Sequence, residues 1–286
     1  MVVPVRVAPR ASPPPSFTAE SVRSLRLEHA AFPELAAPGA VVFVPPGIDR
    51  TRRLEVLVFF HGFNGCALAV AAPEPIPCHP GGPRRGALDL INQVRASGRA
   101  VVLVIPQLAM EATRGDAGRL GHDGGLRRFL AEVLAAIEPE VGPQRVEDLG
   151  RVLFAVHSGG YAAALAALQR GGVDVGHIAM FDALYTGITQ IGGWLEPGLR
   201  AGDGSRRFVS VYGASAAGAG SRELDRLLRG KGLAGDVRRR TSPGDVTLEE
   251  SLATVALLRG QGDHQQVLRR NLAMVLRGAG LGARRP

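Results

Sequence analysis

Apolar residues occur in short runs along the chain, and most of the later runs are separated by segments with helical periodicity. The runs in the middle of the chain are almost wholly apolar, which is typical of strands buried on both faces. Eight strands are predicted: Leu25–Phe32, Ala40–Val44, Leu54–Phe60, Ala100–Ile105, Val152–Val156, His177–Phe181, Phe208–Tyr212 and Ala253–Leu258.

Five segments are predicted to be helical from their apolar spacing or alanine content: Ala87–Arg95, Gly125–Ile137, Gly160–Gln169, Arg222–Leu228 and Gln265–Leu276. Strands that alternate with helices predict an α/β fold, a mostly parallel eight-stranded sheet with helices on both faces. The early strands follow one another without helices, so the sheet is expected to begin antiparallel.

Proline and small residues dominate the first part of the chain, so residues 1–21 are expected to form an extended lead-in and residues 22–286 a single domain. Three long loops are predicted, over residues 62–86, 184–204 and 229–250. No signal peptide is visible in the sequence. This leaves both a cytoplasmic location and a mature secreted form open.

The composition limits the classes of partner. Charged residues make up 21% of the chain and apolar residues 45%, as in an ordinary folded protein. The net charge is +8, but the arginines are scattered and no aromatic residues interleave with the Arg238–Arg240 run, so a nucleic-acid partner is not expected. No apolar stretch reaches the roughly 18 residues of a membrane span.

The most specific motif begins in the predicted strand Val152–Val156. It continues as His157-Ser158-Gly159-Gly160 and leads directly into an alanine-rich helix. A serine between an apolar strand and a helix, flanked by glycine, has the form of a nucleophile elbow, although Val156 stands where glycine is usual. The alternative is that Ser158 is only a helix N-cap.

A second motif, His61-Gly62-Phe63, follows the buried strand Leu54–Phe60. A backbone N–H after such a His-Gly can point at an oxyanion, together with the N–H that follows the nucleophile. The predicted oxyanion-hole donors are therefore Phe63 and Gly159. A plain turn with a packed histidine is the alternative interpretation.

With these two motifs, the sequence of about residues 22–280 resembles sequences of the α/β-hydrolase superfamily, and in particular its carboxylic-ester hydrolases. The segment Val42–Gly47 is similar to the opening of secreted esterases and polyester depolymerases. The resemblance implies an α/β-hydrolase fold and a catalytic order of serine, acid and histidine. His264, after the last predicted strand, is the histidine in the corresponding place.

In the superfamily the acid usually follows the seventh strand, but here that strand is followed by Gly213-Ala-Ser-Ala-Ala without a carboxylate. Asp182, at the end of the sixth strand, is the predicted acid in a variant position. Asp263 is the second candidate, and adjacent side chains such as Asp263 and His264 rarely turn toward each other.

The resulting hypothesis is a serine esterase in which Ser158 attacks, His264 moves the proton and Asp182 orients His264. Tyr161, Tyr185 and Trp194 are candidate pocket walls, with core packing as the alternative for each. An amidase, peptidase or acyltransferase using the same triad remains open, as does an inactive binding protein. The substrate is expected to be a small or polymeric ester, and the oligomeric state is left open.

No cofactor and no metal are expected, because Cys78-His79 and His122-Asp123 lack the spacing of a closed ligand set. No glycine-rich phosphate loop is present in the sequence. Cys66 and Cys78 enclose eleven residues, a spacing that permits a disulfide in an exported protein. In a cytosolic protein they would be free thiols.

Overall fold

The computed structural model describes residues 22–110, 115–235 and 237–281. Its strands are β1 (Val22–Leu25), β2 (Ala40–Phe43), β3 (Glu55–Phe60), β4 (Ile76–Pro77), β5 (Arg84–Arg85), β6 (Val101–Pro106), β7 (Arg151–His157), β8 (Val175–Phe181), β9 (Arg207–Tyr212), β10 (Val237–Arg240) and β11 (Val255–Arg259). The predicted lead-in, residues 1–21, lies outside the described residues.

The helices flank these strands along the chain. They are α1 (Ala67–Ala71), α2 (Leu90–Ser97), α3 (Gly125–Ala136), α4 (Glu138–Val141), α5 (Tyr161–Arg170), α6 (Ile188–Ala201), α7 (Ala217–Gly230), α8 (Leu248–Leu252) and α9 (Gln266–Leu281). Short 3₁₀ turns occupy Gly118–Gly121, Val146–Asp148 and Ser158–Gly160. Among the described residues, no helix combines the length and the apolar character needed to cross a bilayer.

One large sheet organises the described residues, with the strand order β1-β2-β6-β3-β7-β8-β9-β11-β10. β2 pairs antiparallel with both β1 and β6, and every other neighbouring pair in this sheet is parallel. The predicted fold class, with an antiparallel start, is therefore confirmed. The sheet has nine strands instead of the expected eight, because β10 adds a parallel edge strand beside β11.

Apolar side chains cover both faces of the sheet. On one face, helices α3, α5, α6 and α7 contribute buried residues such as Phe129, Ile191 and Leu224. On the other face α1, α2 and α9 contribute residues such as Val94 and Leu272. Because both faces are covered, the central strands are apolar throughout, as the sequence pattern indicated.

Several parts of the predicted secondary structure were wrong. The predicted loop 62–86 contains α1, β4 and β5, and the predicted loop 229–250 contains β10 and the start of α8. The first strand ends at Leu25, because the chain turns there to pair with β2 and the Gly39 N–H donates to the Leu25 carbonyl. The predicted loop 184–204 contains helix α6, in spite of Pro197. An apolar stripe that includes Ile191 and Leu195 is buried against the sheet, and this packing outweighs the weak helix propensity of the segment.

Gly160 and Gly193 allow a matched test of where the fold requires glycine. A Cβ at Gly160 would lie 2.2 Å from the Phe60 carbonyl oxygen, whereas a Cβ at Gly193 would meet no atom within 4 Å. Gly160→Ala should lower the free energy of unfolding by about 3 kcal/mol because it overpacks rigid backbone. Gly193→Ala should raise it by about 0.5 kcal/mol because it reduces chain entropy in the unfolded state.

Denaturant unfolding of the two variants and the native chain measures both free energies. Equal effects of the two substitutions would contradict the assignment of a backbone contact at Gly160.

Candidate active site

Ser158 lies in a sharp turn between β7 and α5. Its φ of 54° is one of four positive values among the described non-glycine residues. Such a conformation is rare for a residue with a side chain, and it is a feature of strained functional turns. The serine is only partly buried, and Tyr161 begins α5 three residues later. The local geometry is therefore that of a strand-turn-helix elbow.

Val156 does not distort this elbow. Its side chain is fully buried on the face of the sheet covered by α5, in the same apolar cluster as Ala163 and Ala164. Helix α5 thus opens with small side chains on the side that packs against β7. Because alanines stand in the helix, the strand can carry a valine where a glycine is usual.

The His61–Gly65 turn lies directly against Ser158. A Cβ at Gly62 would be 2.7 Å from the Ser158 Cβ and 3.0 Å from the Gly159 nitrogen. The Phe63 N–H has no acceptor within the described residues, and the Phe63 side chain is 52% exposed. The structure therefore brings together Phe63, Gly159 and Ser158, the residues expected around an oxyanion hole.

His61 supports this turn from inside the protein. Its side chain is fully buried, and its Nε2 accepts a hydrogen bond of 3.0 Å from the Leu108 N–H. Burial lowers the pKa of His61 to about 4, so the imidazole is neutral near pH 7 and Nε2 can act as an acceptor. His61 is a packed histidine in this structure, as the alternative interpretation allowed, and it sits beside the candidate oxyanion hole.

A disulfide joins Cys66 to Cys78, with the two Cα atoms 5.9 Å apart. Cys66 is the N-cap of α1, immediately after the His61–Gly65 turn. Both cysteines pack with Ala69 in a small buried cluster. The cross-link therefore fixes the loop that continues from the candidate oxyanion hole.

Asp182 stands beside Ser158 because β7 and β8 are parallel neighbours. His157 pairs with Phe181 in the register of these strands, so Ser158 and Asp182 each follow the last paired residue. Asp182 also has a positive φ, 48°, and its N–H donates to the Val211 carbonyl. The turn places the carboxylate at the carboxyl edge of the sheet.

Three donors surround the Asp182 carboxylate. Its Oδ1 accepts from the Gly213 N–H at 3.0 Å and from the Ser215 hydroxyl, and its Oδ2 lies 2.7 Å from His264 Nδ1. Burial raises the pKa of Asp182, but the hydrogen bonds from His264, Ser215 and Gly213 together outweigh burial and lower it. The carboxylate is therefore ionised at neutral pH.

His264 lies in the segment between β11 and α9, with 42% of its side chain exposed. Because Asp182 is ionised and accepts from Nδ1, the Nδ1 atom of the imidazole carries the hydrogen and the Nε2 atom is left as a base. No hydrogen bond joins Ser158 Oγ to His264 among the described residues. In enzymes without substrate this contact is often long, and it shortens when substrate binds.

Asp263, the second candidate acid, has a different contact. Its Oδ1 accepts hydrogen bonds of 2.9 Å from both the Gln265 and the Gln266 N–H. This pattern is that of a carboxylate capping the first turn of a helix, here α9. The structure brings Asp182 to His264 and directs Asp263 to the backbone.

Sequence reasoning missed two side chains at this site. Ser215 binds the Asp182 carboxylate and also accepts from the Ala217 N–H at the start of α7. His157 lies with its ring centroid 4.6 Å from that of His264, and its Nε2 donates to the His264 carbonyl over 3.0 Å. Motif spacing contains no signal for either contact, because both join segments that are distant in sequence.

The three aromatic residues predicted to line the pocket lie in two different places in the structure. Tyr161 and Tyr185 are neighbours near the elbow, with ring centroids 5.7 Å apart. Trp194 is elsewhere: its Nε1 donates to the Val175 carbonyl, at the opposite end of β8 from Asp182. The structure thus brings the two tyrosines toward the candidate site, whereas Trp194 packs against the far end of the sheet, as its alternative interpretation stated.

Apart from the candidate active site, Glu28, His29 and Glu132 form a group of potential metal ligands within the described residues. His29 Nδ1 and N–H already contact the two carboxylate oxygens of Glu132, at 2.7 and 3.0 Å. These contacts account for the cluster without an ion. Ser158, Asp182 and His264 are not part of it.

No protein-family model matches the chain, and no curated protein sequence matches it. One similar solved structure is a ferulic acid esterase, with 16% identity and a TM-score of 0.51; the match covers 83% of this chain and 91% of the other. Another is a mutant of the feruloyl esterase module from Clostridium thermocellum in complex with sinapinate, with 13% identity and a TM-score of 0.53. That match covers 96% of this chain and 93% of the other.

At these identities the likeness concerns the fold. It agrees with the large, mostly parallel sheet flanked by helices. The chain therefore has the α/β-hydrolase fold.

His157 provides a test of the site's electrostatics. Burial lowers the pKa of His157 to about 4 from an ordinary 6.5, so the unfolded chain binds a proton at higher pH than the folded chain. Its contribution to stability is complete above about pH 6.5 and is lost as the pH falls from 6.5 toward 4. In His157→Gln, the loss of unfolding free energy between pH 7 and pH 5 should be smaller by about 1 to 2 kcal/mol.

Urea unfolding at the two pH values measures this difference. His122→Gln, at an exposed histidine, is the control and should leave the pH dependence as in the native chain. The same pH dependence in His157→Gln and the native chain would contradict a buried, neutral His157.

Proposed function

We propose that this protein is a serine hydrolase that cleaves carboxylic esters through an acyl-enzyme intermediate. The observation that carries the proposal is the 2.7 Å contact between Asp182 Oδ2 and His264 Nδ1 at the edge of the sheet where Ser158 occupies its strained turn. A nucleophile, an acid and a histidine base in this chain order and at these strand ends are the parts of a triad.

In the proposed mechanism His264 Nε2 takes the proton of the Ser158 hydroxyl as its oxygen attacks the ester carbonyl. The imidazolium formed in this step is stabilised by the ionised Asp182. The carbonyl oxygen becomes an oxyanion, which the N–H groups of Phe63 and Gly159 stabilise. His264 then protonates the leaving alcohol, and a water molecule activated by the same base releases the acid from Ser158.

Two observations favour an ester hydrolase over the alternatives. Two solved structures that match with a TM-score above 0.5 are described as a ferulic acid esterase and a feruloyl esterase module. The Val156 departure, which motivated an inactive binding protein, leaves the elbow intact because the valine packs among alanines. Both observations support active ester chemistry without specifying the acyl or alcohol group.

A panel of chromogenic esters and matched anilides separates an esterase from an amidase or peptidase. We expect turnover of esters and at most slow turnover of anilides. Labelling with a fluorophosphonate tests the inactive alternative, because only a reactive serine forms the adduct. Turnover of anilides at the rate of the esters would favour the amidase, and a protein that forms no adduct would favour the binding protein.

Replacing the nucleophile should abolish hydrolysis. Ser158→Ala is expected to reduce kcat by a factor on the order of 10⁴ to 10⁶, because the attacking oxygen is lost while the fold is kept. Ser242→Ala, at an exposed serine, is the matched control and should leave kcat unchanged. Native activity in Ser158→Ala with an unchanged circular dichroism spectrum would remove Ser158 from the mechanism.

The acid should be Asp182. Asp182→Asn is expected to reduce kcat by about 10⁴, because an amide favours the wrong tautomer of the histidine. Asp263→Asn should reduce kcat less than about tenfold, because asparagine also caps a helix N-terminus well. Measuring kcat of both variants on one ester decides between them, and a larger loss in Asp263→Asn would reverse the assignment.

A further inference from the structure

A cavity lies at the opposite end of the sheet from Ser158. Its volume is about 450 Å³, and its lining includes Arg53, Arg127, Arg151 and Ser205 together with the carboxylates Glu147 and Asp174. Six residue steps along β7 separate Arg151 from His157, about 20 Å in an extended strand. The volume falls in the range of pockets that hold small organic molecules.

Positive charge at this cavity exceeds what the neighbouring carboxylates neutralise. The two carboxylates that line the cavity are already paired, Glu147 with Arg127 and Asp174 with Arg206, and Glu55 nearby is paired with Arg99. Within the described residues, no carboxylate pairs with Arg53, Arg151 or Arg207. Among the lining arginines, Arg53 and Arg151 therefore have no carboxylate partner within the described residues.

Arg151 connects the cavity with a buried group of arginines behind it. Its Nη1 donates to the Ala279 carbonyl over 2.8 Å, and Arg207 Nη1 donates to the Gly278 carbonyl over 3.0 Å, both in the last turns of α9. The negative end of a helix dipole offsets only about half a charge. Burial, followed by repulsion from Arg151, lowers the pKa of Arg207 to about 10. Arg207 therefore still carries its positive charge at neutral pH.

His177 lies among the same arginines. Only 2% of the residue is exposed, and neither ring nitrogen has a hydrogen-bond partner. Burial, and then repulsion from Arg207, Arg151 and Arg99, lowers its pKa well below the usual range. A buried imidazole without partners is costly for the folded state. This part of the molecule therefore combines uncompensated positive charge with an unsatisfied polar group.

We propose that this cavity is a binding site for a small anionic molecule, whose phosphoryl or carboxylate group is held by Arg53 and Arg151. A planar guanidinium matches the geometry of either oxyanion and can bind it through two parallel hydrogen bonds. The remaining volume would hold the organic part of the ligand. The site is separate from the candidate active site and does not depend on the proposed hydrolase function.

Calorimetric titration with phenyl phosphate, benzoate and inorganic phosphate, at constant ionic strength, tests the site in the full chain. We expect saturable binding of phenyl phosphate or benzoate, and an increase of Tm with the concentration of the bound probe. Tighter phenyl phosphate would identify a phosphoryl ligand, and tighter benzoate a carboxylate ligand. If neither probe binds saturably, the proposal is wrong.

Three variants locate the binding. Arg53→Gln and Arg151→Gln should each raise the Kd of the tighter probe at least about tenfold, because each removes a charge-assisted contact. Arg128→Gln removes the same charge from an exposed position on α3 that does not line the cavity, and should change Kd less than about twofold. Equal weakening in all three variants would show general attraction to a basic surface and would overturn the proposal.

Arg53 is exposed, so Arg53→Gln is expected to fold normally and decides the question if Arg151→Gln does not. Circular dichroism and Tm without ligand monitor folding in each variant. An unchanged Kd in folded Arg53→Gln would remove that residue from the site and contradict the proposal.

Discussion

The turn after β7 lies directly against the carboxyl end of β3, and the rest of the candidate site depends on this backbone contact. A side chain at Gly160 would collide with the Phe60 carbonyl oxygen, and one at Gly62 would collide with Ser158. Glycine is therefore required on both sides of the contact. The turn that carries Ser158 and the turn that begins at His61 are therefore held against each other by packing. A site that must stabilise developing charge benefits from such rigidity, because little reorganisation is then needed during reaction.

The second half of the site is held by polar contacts. Asp182 is almost completely buried, and its charge is tolerated because donors from three separate segments reach it: the Gly213 N–H, the Ser215 hydroxyl and the His264 ring. His264 itself belongs to an exposed segment. Two interactions fix it there, one at each end of the residue: the carboxylate at Nδ1 and the His157 ring at the backbone carbonyl. Packing thus positions Ser158, whereas hydrogen bonds position His264.

The features that could be predicted from the sequence are those that depend on local pattern. The buried strands, the elbow at Ser158 and the placement of Asp182 at a strand end follow from runs of apolar residues and from the residues that end them. Helix α6 was missed because glycine and Pro197 disfavour a helix locally, and only its packing on the sheet favours one. Ser215 and His157 could not be assigned their contacts, because those contacts join segments far apart in the chain. The expected position of Trp194 was wrong for a related reason. Its segment was expected to be a loop near the candidate site, but it forms a helix that places Trp194 at the other end of the sheet.

The disulfide between Cys66 and Cys78 has a consequence for how the chain responds to proteolysis. Residues 73–75, between the two cysteines, are exposed, so a protease can reach this loop while the sheet stays folded. A cut there leaves the two fragments covalently joined through the cross-link. The nicked protein would migrate as one chain without a reducing agent and as two fragments with it. Because β3 and the His61–Gly65 turn precede the cut, and β7 and α9 follow it, the parts that make up the candidate site would stay in one covalent unit after cleavage.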